Sequence, residues 1–314
     1  MLNLTYVDMN PLISIISVNY RNTRDTISFL ESIKKSEYDK IEVILVDNAP
    51  LKVDKHLFEQ AYHNLIYIHS KENLGFAGAN NLGIKHASGE LYYFLNNDTI
   101  LTKESIIPLV ERFSKNKSLG AASPRIAFFE NQNLLQYAGM TPINPLTGRN
   151  KMIGNHENDS PIFQKTIQIG YAHGAAMMIP AKIVNEIGPM ETDYFLYYEE
   201  LDWCEKIRKY NKEIEVVGEG RVIHKASASI KANSPLQTFY MTRNRLLFMY
   251  RFTNKKQFKK FWNFYKFVVI PKEKLKFVIK GDKDGLKAYN QALTSATNYF
   301  KNTNAPLQNF RAVA

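Results

Sequence analysis

Several side chains in this sequence stand where chemistry would use them. Asp98 closes the stretch "YFLNNDT", directly after the amides Asn96 and Asn97. A carboxylate at the end of an apolar run is either a turn or cap before the next helix, or one ligand of an ion at the mouth of a sheet. Glu199, Glu200 and Asp202 crowd into "YYEELDWC". Acidic residues in a first helical turn compensate the helix dipole, for about 0.3–1 kcal/mol each. Carboxylates emerging from an aromatic shelf, here "YFLYY", also gain proton affinity, which is what a general base requires. His224 ends "RVIH", and a lone histidine is more often packed than a ligand. Arg243, beside Asn244 in "FYMTRNRLLF", reads on its own as a surface cation of a helix.

The glycines of "NLGFAGANNLG" fit neither G-x-G-x-x-G nor a P-loop. They mark either a tight strand-to-helix turn or a place where backbone N–H groups approach phosphate, at a helix expected over residues 78–87.

Positioning such residues requires rigid elements. Residues 12–18, 41–47, 65–70 and 91–97 are near-continuous apolar runs, as strands covered on both faces must be. Helical spacing falls between and after them, over residues 23–35, 53–62, 78–87 and 103–113. Repeated βα units predict an α/β fold with a mostly parallel open sheet, right-handed crossovers, flanking helices and ligands beyond the carboxyl ends of the strands. That rule puts Asn19, Asp47, Ser70 and residues 96–98 on one rim. Residues 130–168 read as long loops or a small antiparallel excursion. The strand "GAAMMIP" follows, then a helix over residues 199–210, two short strands meeting at residues 218–220, and a helical C-terminal segment.

A hydrophobic fraction of 45% and a charged fraction of 23% in 314 residues describe an ordinary globular chain with a sizeable core. The single cysteine, Cys204, excludes an internal disulfide and argues for a reducing compartment. The start shows no basic leader with a cleavage site, and no apolar run reaches the roughly 18 residues of a membrane span. The expected location is cytoplasmic, with any membrane contact peripheral, on the inner face. A net charge of +11 points to anionic partners. In "KKQFKKFWNFYKFVVI", Phe258, Phe261, Trp262, Tyr265, Val268 and Val269 share one helical face, opposite Lys255, Lys256, Lys259, Lys260 and Lys266. Such a helix suits an anionic membrane surface, or packs its aromatic face on the catalytic domain or on a second copy in a homodimer. No nucleic-acid module accompanies the charge, so no nucleic acid is expected as partner.

Taken in order, "SVNYRN", "VDNAP", "ENLGFAGANNLGIKHASGE", "FLNNDT", "IGPMETDYFLYYEELDWC", "VIH" and "RN" resemble the inverting family 2 glycosyltransferases of GT-A fold, nearest the bacterial rhamnosyltransferase-like branch. The resemblance covers roughly residues 12–250. It implies a GT-A catalytic domain over residues 1–250, with a nucleotide-binding half at about 10–125 and an acceptor half at about 126–250. Residues 251–314 form a basic, aromatic helical extension. It further implies Asp47 at the nucleotide base, Asn96 and Asp98 at the ends of the D-x-D element, and a divalent cation, Mn²⁺ or Mg²⁺, on Asp98 and His224. Asn19, Gly75, Asn80, Asn97, Gly174 and Arg243 complete the nucleotide-sugar site. Glu200 falls on the general base, with Asp202 as its neighbour. The donor implied is dTDP-L-rhamnose, or else a UDP-sugar, and the acceptor is a saccharide on a polyprenyl diphosphate.

Two departures matter. Asn96 replaces the first acid of D-x-D, removing a charge, and Glu200 replaces an Asp, moving the carboxylate by about one methylene, which leaves Asp202 or Glu199 as alternative working bases. The residue types suit the chemistry: a hard cation neutralises the departing diphosphate, and one carboxylate deprotonates the acceptor hydroxyl. A nucleotidyltransferase would need a basic triphosphate loop after the first strand, which "SVNYRNTRD" lacks. A non-catalytic sugar-nucleotide-binding assembly protein would have little use for Asp98, Glu200, Asp202 and His224 together.

Overall fold

The computed structural model describes residues 10–51, 55–225 and 234–301. The first half runs β1 (Ile13–Asn19), α1 (Thr23–Ile33), β2 (Ile41–Asp47), α2 (Lys55–Ala61), β3 (Leu65–His69), α3 (Gly75–Ile84), β4 (Leu91–Leu95), β5 (Thr99–Leu101) and α4 (Ile107–Lys115). It continues through β6 (Leu119–Phe128), β7 (Leu135–Tyr137), β8 (Ile167–Gln168), β9 (Ala176–Pro180), α5 (Ala181–Ile187), α6 (Glu199–Lys209) and β10 (Glu213–His224). Four helices follow: α7 (Pro235–Phe252), α8 (Lys255–Phe264), α9 (Ile270–Ile279) and α10 (Lys283–Lys301).

The strands join one open sheet in the order β3-β2-β1-β4-β9-β6-β10-β5, with β7 on β6 and β8 on β10. Pairing is parallel among β3, β2, β1 and β4 and between β6 and β10, and antiparallel where β9 meets β4 and β6. The chain steps outward from β1 to β3 and then returns to lay β4 on the other side of β1. That reversal opens a crevice at the strands' carboxyl ends. Because β9 runs the opposite way, its amino end, at residues 173–176, opens on the same rim.

Local sequence explains the helices that flank the sheet. Asn22 caps α1 by accepting the Asp25 N–H. Helix α3 lies so close to β1 and β2 that a Cβ at Gly83 would sit 2.6 Å from the Ile16 side chain. Helix α7 opens with Ser234 capping the Gln237 N–H and Pro235 in its first turn.

The expected helix over residues 103–113 is a 3₁₀ turn, Lys103–Ser105, followed by α4. Of the helix expected over residues 53–62, the first two residues lie outside the described residues. The two short strands expected at residues 213–224 are one strand, β10, with a register irregularity between Val217 and Arg221. Gly218 allows this, because a Cβ there would meet the Gln164 and Lys165 backbone at 2.4 Å.

Helix α10 packs on α7 through Phe239, Tyr240, Ala288 and Ala292. Of the readings open for α8, the aromatic face turns inward: Phe261 and Tyr265 are buried, Phe258 and Trp262 meet Phe300 edge to face, and Trp262 stacks on Tyr265. Among the described residues, no helix is long and apolar enough to cross a membrane.

Candidate active site

The floor of the crevice is a buried polar network across three strand ends. Asn19, ending β1, donates to Asp47 Oδ1 at 2.9 Å. The Tyr67 hydroxyl donates to Asp47 Oδ2 at 2.8 Å. Thr26 donates to Asn19 Oδ1 at 3.0 Å, and Asn97 donates to Thr26 Oγ1 at 2.7 Å. Asn19 and Asp47 are fully buried, so the network fixes the strand ends relative to one another. The turn after β4 is shaped by Thr99, whose N–H and hydroxyl both donate to the Asn96 carbonyl. The Asn96 N–H donates to Ala175 O at 3.0 Å, binding this turn to the start of β9.

Asp98 sits on that turn, 7% exposed. The antiparallel register of β10 on β5 pairs His224 with Thr99, one residue from Asp98. As a result His224 Nε2 lies 3.0 Å from Asp98 Oδ1. The other ring nitrogen, Nδ1, lies 2.7 Å from Gln136 Oε1. An Nδ1–H donated to that oxygen leaves the Nε2 lone pair facing a carboxylate, which is stable only with a proton or a cation between them. A carboxylate oxygen and an imidazole nitrogen fit Mn²⁺ or Mg²⁺. No group of three or more His, Cys, Asp or Glu suited to a metal occurs among the described residues. Substrate oxygens and water would share a cation held on this pair.

His173, which sequence reasoning missed, joins the pair. Its ring centroid is 6.3 Å from that of His224, and its Nδ1 accepts the Ala175 N–H at 3.0 Å. In the neutral ring this leaves the proton on Nε2. Burial and the neighbouring His224 push its proton affinity down and keep it neutral. The signal that could have found it is its place immediately before Gly174, a residue of the nucleotide-sugar site that the resemblance implies.

The acidic helix meets this rim at Gly174. The segment leading to α6 holds three non-glycine residues with left-handed backbone: Phe195 (φ 62), Tyr197 (φ 68) and Tyr198 (φ 81). Such conformations cost of order 1–3 kcal/mol each and need outside support. Asn244 supplies it, donating to the carbonyls of Tyr194, Leu196 and Tyr197 at 3.0, 2.7 and 2.8 Å. Arg243 donates to the Asp193 and Tyr194 carbonyls at 2.8 and 2.7 Å and orients Asn244 by donating to its Oδ1 at 2.8 Å. Arg243 is 0% exposed, so the surface cation of the sequence reading is a buried brace. Its guanidinium is turned to these carbonyls and to the rings of Phe239 and Tyr240.

The three acids after this segment differ sharply. The Glu200 carboxyl group lies 3.6 Å from where a Gly174 Cβ would be, so the pair expected at the site is brought together. Its affinity for a proton is pushed up to about 7 by burial, against the pull of the helix-start N–H groups. Glu199 is 1% exposed, and neither carboxylate oxygen has a hydrogen-bond partner. Burial first, and Glu200 second, hold its proton affinity well above the ordinary range. Asp202 is fully buried and faces inward, with Tyr194 OH at 2.9 Å, Arg251 Nε at 3.2 Å and Lys206 Nζ at 3.5 Å.

The glycine loop meets the same aromatic segment. Phe195 O accepts the Phe76 N–H at 2.8 Å, and a Cβ at Gly75 (φ +70) would fall 2.3 Å from that oxygen. The Gly75 N–H donates to Asn73 Oδ1, so the first N–H groups of α3 serve the protein itself. Asn80, 2% exposed, donates to Phe76 O inside α3.

Comparison with known proteins adds to this geometry. Low-salt glycan biosynthesis hexosyltransferase Agl10 of Haloferax volcanii is 29% identical over 255 residues, covering 75% of this chain and 74% of that protein. Of two further curated relatives, from Rickettsia, the chain spans 31% of the length. GalNAc-T7, solved with UDP, GalNAc and Mn²⁺, superposes with a TM-score of 0.63 at 14% identity, over 95% of this chain and 58% of that one. The mannosyltransferase PcManGT of Pyrobaculum calidifontis, solved with GDP-Man and Mn²⁺, gives 0.55 at 16% identity, over 94% and 76%. These likenesses show the GT-A fold. The model of the family described as glycosyl transferase family 2 matches residues 14–188, more than half of the chain. The chain belongs to that family.

Proposed function

We propose that this protein is a divalent-metal-dependent, inverting glycosyltransferase that adds a hexose from a nucleotide-sugar donor to a growing bacterial surface polysaccharide. The observation that carries the reading is the Asp98–His224 pair, 3.0 Å apart at the carboxyl rim, with Glu200 beside Gly174 at the start of β9. Asp98 and His224 would hold the cation, which when bound neutralises charge on the diphosphate leaving group.

The protein's own residues account for the rest. The network of Asn19, Asp47 and Asn97 forms the floor for the nucleotide, with Asn96 beside it at the ribose. Gly75 lets the start of α3 close on Phe195, and Gly174 leaves room for the ligand beside Glu200. Glu200 takes the proton of the acceptor hydroxyl as its oxygen attacks the anomeric carbon. The bond from that carbon to the diphosphate breaks, and its electron pair leaves with the nucleoside diphosphate. A single displacement of this kind inverts the anomeric centre. A proton affinity near 7 leaves Glu200 basic enough to accept the proton and sufficiently ionised to do so at neutral pH.

The relative from Haloferax volcanii supports a hexose as the transferred group. We assign dTDP-L-rhamnose as favoured donor, ahead of UDP-sugars, and a polyprenyl-diphosphate-linked saccharide as acceptor. A thermal-shift panel of dTDP-, UDP- and GDP-sugars with and without Mn²⁺ tests this. A donor at 100 times its Kd raises stability by about 2.7 kcal/mol, a readable shift. Metal-independent shifts, or none with any sugar nucleotide, would sink the reading, and a preference for UDP- or GDP-sugars would remove rhamnose.

A further inference from the structure

The last helices carry an apolar face that the fold leaves uncovered. Between Tyr265 and Ile279 the inward side is set by Tyr265, Val269, Ile270 and Phe277, which pack on the chain. The outward side shows Phe267 (68% exposed), Val268 (49%), Leu275 (58%), Val278 (65%) and Ile279 (74%). Phe267, Leu275 and Val278, with Pro271 between them, recur at helical spacing, and Val268 and Ile279 flank them, so the exposed side chains lie on one side of the helix. A helix that is apolar on both sides is normally covered on both.

The surroundings say by what. Residues 255–280 contain nine lysines and one acid, Glu273. That acid is already paired with Lys276 at 2.9 Å. Lys266, Lys272, Lys276 and Lys280 on the same helices are exposed, as are Lys255, Lys256, Lys259 and Lys260 of α8. We infer that this stripe is a docking surface for an anionic lipid bilayer, with the α9 apolar side chains entering the headgroup boundary and the lysines reaching lipid phosphates.

Charge complementarity singles out this occupant. A second copy docked face to face would bring this lysine-rich surface against its own kind, a like-charge repulsion. A soluble polyanion would satisfy the lysines but leave five large apolar side chains in water. A bilayer interface takes both groups at once. The surface lies on α9 rather than on the aromatic face of α8, which is spent on packing.

Flotation of the full chain with vesicles of phosphatidylglycerol and phosphatidylcholine tests this independently of any glycosyl transfer. Binding should require phosphatidylglycerol and weaken at high salt. The double variant Leu275→Glu/Ile279→Glu should bind at least ~10-fold more weakly, because each loses apolar insertion and gains repulsion. Lys272→Glu/Lys276→Glu should also weaken binding, while its residual binding becomes less sensitive to salt. All four side chains are substantially exposed, so both variants should melt like the wild type. Three results would each overturn the proposal. The wild type could ignore anionic vesicles, the Leu275/Ile279 variant could float as well as the wild type, or the chain could form a concentration-dependent dimer that this variant abolishes.

Discussion

The Asn244 side-chain amide lies 2.8 Å from the Tyr197 carbonyl, immediately before the left-handed Tyr198 that starts the helix bearing Glu200. A residue on α7 thus holds the turn that aims an acid on α6. The turn is built from aromatic residues, which gain nothing from left-handed backbone, so its shape depends on the clamp. Removing the amide in Asn244→Ala takes a donor from the half-buried Leu196 and Tyr197 carbonyls, while the Tyr194 carbonyl keeps Arg243, at a cost of about 1–3 kcal/mol. The melting temperature should fall, and kcat should drop with donor affinity nearly intact. Unchanged kcat in a destabilised variant would make the clamp purely structural.

Asp98→Ala should abolish transfer together with the metal-dependent part of nucleotide binding. His224→Ala should weaken Mn²⁺ binding by about 10- to 100-fold, as for loss of metal-site support, and keep the fold. Titration of Mn²⁺ by electron paramagnetic resonance reads both without turnover. Wild-type affinity in the Asp98 variant would remove the cation from this pair.

Glu200→Gln is nearly isosteric. It should keep donor and metal binding and lose most of kcat, by a factor of about 10²–10⁴. The sign of the pH dependence follows from the raised affinity. The carboxylate is the working form and appears as pH rises through about 7, so kcat should climb below that pH and level above it. A rate flat across this range in the wild type, or turnover in the Gln variant, would move the base elsewhere. Asp202→Asn should act mainly on stability, since it disturbs the contacts to Arg251, Lys206 and Tyr194.

The sequence made some of this architecture legible and hid the rest for physical reasons. Strands β1 to β4 are covered on both faces, so their apolar runs declare them. Strand β6 went unseen because "LGAASPRIAF" carries small and polar residues where neighbours crowd it: a Cβ on Gly120 would meet Ile207 at 2.5 Å, and Ser123 donates to Ala176 O. Strand β5 is three residues long, too short for any period to show. The meeting of Asp98 with His224 depends on the register of β10 against β5, which no local pattern encodes. Arg243 was the hardest to read. Its place was decided by carbonyls some fifty residues earlier in a backbone turn that aromatic residues do not advertise.

The last prediction concerns Glu199. Its folded-state proton affinity is raised well above the ordinary 4.5, by burial and then by Glu200. In the pH window between those two values the native state keeps a proton that the unfolded chain has released. The stability this contributes is full below about pH 4.5 and is lost as pH rises through the raised folded value. The slope is at most ~1.4 kcal/mol per pH unit. Gln has no such proton, so Glu199→Gln should gain steadily on the wild type as the buffer moves from acid to alkaline. The informative quantity is the difference between the two melting curves at each pH, since other groups titrate in both proteins. Burying the amide sets the offset at the acid end and leaves the slope untouched. A difference that does not change with pH would mean Glu199 is ionised in the fold. Arg243, the cation whose field acts on it, would then be its counter-ion, and Arg243→Gln would strand a buried charge.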